Sequence, residues 1–131
     1  MRRLTFILLG ALSILGCDPV SDMEADIENL TSQTLIIDVV SAIVELDTIL
    51  QVAPNQTQRF QEGFDIGSTY LEPTFIDIDS IVVKNQAGEV LKVYKEDSPG
   101  KNIYNVRDWK SSEPSKRFFK YEFEILLEDL D

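Results

Sequence analysis

Within residues 117–125, RFFKYEFEI, apolar and charged side chains alternate strictly from Phe119 to Ile125. Phe119, Tyr121, Phe123 and Ile125 fall on one side of an extended chain, and Lys120, Glu122 and Glu124 fall on the other. Successive side chains of a strand point to opposite faces, so the segment predicts a strand with one face in a core and one in water. Wound as a helix, the same aromatics would be smeared around its circumference. The aromatic face needs a second layer to cover it.

The rest of the chain leans the same way. Only four alanines follow Cys17, while Val, Ile, Thr, Phe and Tyr dominate the apolar set, a composition that suits strands. Strands are expected at about 25–29, 34–41, 45–52, 57–61, 75–84, 89–95, 102–106 and 117–126. Turn chemistry separates them at LTSQ (30–33), APNQ (53–56), EGFDIGS (62–68), NQAG (85–88), DSPGK (97–101) and SSEPS (111–115). In SIVVKNQAGEVLKVYKE, two β-rich runs flank Asn85-Gln86-Ala87-Gly88, and Gly88 is free to take the positive φ of a hairpin loop. The run TLIIDVVSAIVELDTIL (34–50) is long enough for a helix. Its β-branched residues and lack of a cap favour two strands bent near Ser41-Ala42. LLEDLD is expected to close the chain with a helical turn. Strand spacing of this kind gives an all-β fold: a single antiparallel β-sandwich, Ig-like or similar.

The N-terminus sets the address. Met1-Arg2-Arg3 is followed by an apolar run of twelve residues, Leu4–Leu15, then Gly16 and the only cysteine, Cys17. A basic start, a short apolar stretch and a small residue at the cut make a secretory signal. The run falls short of the about 20 residues that span a bilayer. Ile14-Leu15-Gly16-Cys17 resembles the lipobox of bacterial lipoproteins, although Leu15 is bulkier than the Ala or Ser usual there. The resemblance implies acylation of the Cys17 thiol and cleavage just before it. The bland alternative is an ordinary signal peptide with a chance cysteine. One acyl chain holds a protein only marginally, and lipoproteins of this kind carry two or three.

The expected organisation is therefore a signal peptide at 1–16, the acylated cysteine and an acidic tether at 17–24, and one β-sandwich domain at 25–131. DPVSDMEAD (18–26) is acidic and poor in apolar residues. It faintly resembles the surface-export signal of Bacteroidetes lipoproteins, whereas Asp18 directly after the cysteine resembles the inner-membrane retention signal of enterobacteria. The expected address is the cell envelope, with the outer membrane favoured and the leaflet open.

Cleavage leaves 115 residues, enough for one domain. Loss of Arg2 and Arg3 leaves ten basic against 23 acidic side chains, a charge of −13. Such a chain is repelled by nucleic acid and by anionic lipid, so nucleic-acid partners are excluded. Apolar residues make up 44% of the sequence, which is ordinary for a globular domain and speaks against disorder.

With no histidine in the chain, imidazole catalysis and His-based metal cages are ruled out. Gly63 and Gly67 are isolated and no GK[ST] follows a glycine loop, so no phosphate-binding loop is present. Carboxylates remain. FIDIDS would place Asp77 and Asp79 on one strand face about 7 Å apart, a spacing usable in glycoside hydrolysis or for two ligands to calcium. The plainer expectation is a polar outward face opposite buried Phe75, Ile76 and Ile78. No metal or other cofactor is expected, and Asp77 and Asp79 are the weak metal candidates. Trp109, beside Arg107, Asp108 and Lys110, is a candidate partner contact, with packing in the core as the commoner fate of such a residue.

DTI (47–49) and DSI (79–81) resemble the tripeptide at which Bacteroidetes attach O-linked glycans, which would make Thr48 and Ser80 glycosylation sites. IYNVRDWKSSEPSKRFFKYEFEILLEDL (103–130) and DSIVVKNQAGEVLKVY (79–94) resemble the C-terminal end and central hairpin of small Bacteroidetes lipoproteins. That resemblance covers under half of the chain. It implies a β-sandwich and a lipid at Cys17, with no activity to carry over. The expected function is a non-enzymatic binding or structural module, anchored to the membrane through Cys17, with an envelope protein or a glycan as partner. An immunity or inhibitor lipoprotein against a basic toxin is the alternative, and a carboxylate-based hydrolase is the third.

Overall fold

The alternating segment near the C-terminus lies inside a sheet, flanked on both sides. A computed structural model describes Gly16 and residues 18–130. Eight strands run in chain order: β1 (Val20–Asn29), β2 (Leu35–Ser41), β3 (Thr48–Val52), β4 (Thr57–Ile66), β5 (Ile78–Lys84), β6 (Val90–Tyr94), β7 (Lys110–Ser115) and β8 (Phe118–Ile125). They form two four-stranded sheets, ordered β4-β1-β8-β7 and β3-β2-β5-β6. The sheets pack face to face as a β-sandwich. Among the described residues there is no α-helix, only three short 3₁₀ turns.

Antiparallel pairing dominates, with one exception. β1 and β8, near the two ends of the chain, run parallel, in the register Met23↔Phe119, Ala25↔Tyr121, Ile27↔Phe123, Asn29↔Ile125. All eight of those residues are buried. Small Ala25 beside Tyr121 leaves the ring room, the alternation of sizes a close-packed interior requires. The second sheet contributes Leu35, Ile37, Val52, Ile81, Val83 and Tyr94 to the same core. Between the sheets, Trp109 lies 5.4 Å from Phe123 and 5.8 Å from Phe60, and Phe123 meets the Tyr94 ring edge-on at 5.8 Å. These tilted and T-shaped contacts suit ring quadrupoles.

Several expected elements are found. β2 and β3 come from the ambiguous apolar run, broken at Ser41-Ala42 and joined by a 3₁₀ turn at Val44–Leu46. Gly88 closes the β5–β6 hairpin at φ 83°, with the Asn85 side chain accepting from the amides of Ala87 and Glu89 at 3.0 Å each. The described residues end in a 3₁₀ turn at Leu127–Leu130.

Four expectations are corrected. Residues 20–24, read as tether, are the first half of β1. Their inward members Ser21 and Met23 are buried, and outward Glu24 shares Arg59 with Asp26 further along the strand, at 3.0 and 2.5 Å. β4 runs on to Ile66 through the segment EGFDI, expected as a turn, because it pairs with all of β1. The strand expected at 102–106 is instead a loop and a 3₁₀ turn. There Asn102 donates to the Lys95 carbonyl at 2.7 Å and accepts from the Tyr104 amide at 3.1 Å, while Asn105 accepts from the Arg107 amide at 3.2 Å. Such side-chain bonds offer the backbone an alternative to a ladder. The Ser/Pro-rich segment 111–115, expected as a turn, belongs to edge strand β7 (Lys110–Ser115), exposed throughout. Pro114 is tolerated there, where no inner ladder needs its N–H, and it blunts the edge against pairing with another chain.

Candidate functional site

Cys17 lies outside the described residues. Its neighbour Asp18 is exposed, and the Pro19 carbonyl accepts a hydrogen bond from the Gly67 amide at 2.6 Å. One residue into β1, the buried Ser21 hydroxyl donates to the Ser68 carbonyl at 2.6 Å. The strand is therefore fastened from its first residues. Asp18 and Pro19 separate Cys17 from Val20, three chain steps with a reach of about 10 Å at full extension.

Asp77 and Asp79 do not share a strand face. β5 begins at Ile78, and Asp77 sits in the turn before it, where the Ile78 amide donates back to the Phe75 carbonyl at 3.0 Å. Asp77 borders a depression of about 400 Å³ formed with Leu46, Phe60, Gln61 and Ile76. Asp79 borders a different one, with Glu96 and Tyr104. A glycosidase needs its two carboxyl groups on either side of one bond, and this geometry aims them at separate hollows. Of the side chains expected to be buried opposite them, Phe75 and Ile78 pack against the core, and Ile76 is the correction. Ile76 is 89% exposed, and only Phe75 joins the aromatic cluster, 5.1 Å from Tyr104 and 6.3 Å from Trp109. Burial, reinforced by the negative charges of Asp79 and Glu96, pushes the Tyr104 hydroxyl up to about 12, so it stays a donor, to the Ile78 carbonyl at 3.2 Å.

Trp109 is a core residue rather than a surface contact. It is 5% exposed, its indole N–H donates to the Ile103 carbonyl at 2.8 Å, and its ring packs between the sheets. Thr48 is exposed at the start of β3, its hydroxyl donating to the Leu46 carbonyl at 3.4 Å. Ser80 is half-buried in β5, opposite Val40.

One cluster escaped the sequence reading. The carboxylates of Glu28, Glu122 and Glu124 converge on the outer face of the β1–β8 pair, with oxygens within 4.8 Å of one another. Alternation shows that Glu122 and Glu124 share a face, but Glu28 joins them only through the register Glu28↔Glu124, which no local pattern reveals. Lys110 pairs with Glu124. Partial burial, then the charge of Glu122 and a hydrogen bond shared with it, hold Glu28 above the ordinary carboxylate range. Three carboxylates could contribute oxygens to a hard cation that seeks six to eight. Without a cation they repel. A group whose folded pKa lies above its unfolded value binds protons more tightly when folded, so stability falls as pH rises through that window. Glu28→Gln should therefore raise stability at neutral pH by about 0.5 kcal/mol, the scale of like charges opposed across strands. In urea titrations the gain should shrink as the pH is lowered into the carboxylate range.

Asp77 and Asp79 thus border separate hollows, one carboxylate cluster lies on the outer face of the β1–β8 pair, and β1 begins just after Cys17. Compared with known proteins, the chain matches no family model, no curated protein and no solved structure.

Proposed function

We propose that this chain is a cell-envelope lipoprotein, acylated at Cys17, whose β-sandwich serves as a non-enzymatic binding or structural module. The observation that carries the reading is the placement of the single cysteine. It ends a basic-then-apolar run, within Ile14-Leu15-Gly16-Cys17, and stands three residues before the first strand begins. Acylation there leaves the domain held against a membrane. Partners within reach are an envelope protein or a glycan, with Thr48 and Ser80 as sites for O-linked sugar.

Charge supports a second reading, an immunity or inhibitor lipoprotein. A side-chain charge of −13 on the processed chain would steer a basic toxin toward it and speed association at low salt. A toxin gene beside this one would favour that reading. A polysaccharide or secretion locus would favour the module.

Cys17→Ala tests the anchor. The variant should abolish incorporation of radioactive palmitate and leave a precursor that retains residues 1–16. Unchanged labelling would remove the basis of the reading.

A further inference from the structure

We infer that the end of the sandwich at which β1 begins is a lipid-facing surface that rests on a neutral bilayer; the inference builds on the reading of Cys17 as the acylated residue. Pairing fixes which segments share that end. Val20 opposes Ile66, Asp22 opposes Phe118, and Ser41 opposes Ile78. The two sheets are in step, because at the far end the Asn29 side chain donates to the Val52 carbonyl at 2.9 Å, tying β1 to β3. The 42–47 and 67–77 connections consequently lie at the same end as Val20. Leu46 and Ile76, one from each connection, border one hollow.

This end carries most of the exposed apolar surface among the described residues. Among the described residues thirteen large apolar side chains are exposed, and all but Val90, Val93 and Leu127 gather here. They lie on these two connections, within three strand residues of them, or, for Val20, at the start of β1. The most exposed are Ile76 at 89%, Val44 at 76%, Ile49 and Phe64 at 70% and Ile66 at 61%. Single exposed apolar residues are ordinary, but their gathering at one end marks an interaction surface.

Lipid fits this surface better than a folded partner. The attachment point for acyl chains at Cys17 is at most about 10 Å along the chain from Val20, too close for a folded protein to stand between this end and the bilayer. Interfacial apolar residues enter to a depth of about 5–10 Å, which matches that leash. Acids outnumber bases at the same end, with Asp18, Asp22, Glu45 and Asp47 among the acids against Lys116 and Arg117 of the β7–β8 turn, so an anionic surface would repel it, and a zwitterionic one is the occupant proposed.

The test uses the full chain, purified with its native modification and reconstituted into phosphatidylcholine vesicles with brominated acyl chains. Bromine quenches only tryptophans that reach the lipid. Val44→Trp and Ile76→Trp report on the proposed surface, Val90→Trp reports on the opposite end, and the parent's signal from buried Trp109 is subtracted. All three positions are exposed, so the substitutions leave the core alone. Fluorescence at positions 44 and 76 should fall at least about twofold while position 90 is unchanged, as interfacial insertion requires. Intact mass, measured on the same sample, separates the two layers of the reading. Acylated protein with no quenching at 44 and 76, or with equal quenching at all three positions, overturns the inference and leaves the anchor standing. A bare thiol without quenching overturns both. A bare thiol with quenching confined to 44 and 76 supports the surface and overturns the anchor.

Discussion

Phe123→Ala should destabilise the domain by about 3–5 kcal/mol, the usual cost of removing a core aromatic and leaving its cavity. Phe123 is completely buried in β8, an inner strand. Tyr94 and Trp109 pack against its ring, and the Lys101 ammonium stands 5.1 Å from its centroid. Deleting the ring removes the contact between the β8 layer and both aromatics at once, and the rigid ladder on either side prevents collapse into the hole. Domains of this size are stable by about 5–15 kcal/mol, so the variant should be marginal, with a lower urea midpoint at an unchanged slope. Phe64→Ala is the control. That ring is 70% exposed on β4, and its loss should stay within about 0.5 kcal/mol. A loss below that level at Phe123 would mean the register of β8 is wrong.

Asn29→Ala should cost about 3 kcal/mol, because several buried groups lose their partner together. Asn29 is fully buried at the end of β1. Its amide donates to the carbonyls of Gln33 and Val52 at 2.7 and 2.9 Å, and its oxygen accepts from the Thr31 amide and hydroxyl at 2.9 and 2.7 Å. One side chain thus shapes the β1–β2 turn and ties the two sheets together. Asn29→Asp keeps the volume and removes the donor, setting a carboxylate against two carbonyl oxygens. Burial and those oxygens would hold the new carboxyl above its ordinary range in the folded state. Its folded form then binds the proton more tightly, so stability should recover as pH falls through the raised value. Relative to the parent, Asn29→Asp should be more stable at about pH 5 than at pH 7 in urea titrations.

The fold was legible wherever one local signal was strong. β8 alternates large apolar with charged residues, and Asn85 through Gly88 spell their own turn. The second half of β1 was expected at 25–29, but its first half hid because inward Ser21 is too small to mark a core face, while Asp22 and Glu24 on the outward side read as part of an acidic tether. β7 hid because an edge strand exposed on both faces has no reason to alternate. The Asn102 segment deceived through its apolar neighbours: Ile103 is buried, but as a plug held by side-chain hydrogen bonds. Asp77 and Asp79 parted company for want of one residue, since β5 begins at Ile78. The parallel pairing of β1 with β8 joins distant parts of the chain, so the convergence of Glu28 on Glu122 and Glu124 had no local trace. The reading of Cys17 rests on its flanks in the sequence, whereas the apolar end needed the topology.

The chain's proposed role depends on its attachment, so the chemical state of residue 17 decides the account. Mass spectrometry of the protein isolated from its native membranes reads that state directly. The N-terminal peptide should begin at Cys17 and carry the added mass of acyl chains. A peptide with a free thiol, or one still continuous with residues 1–16, would contradict it.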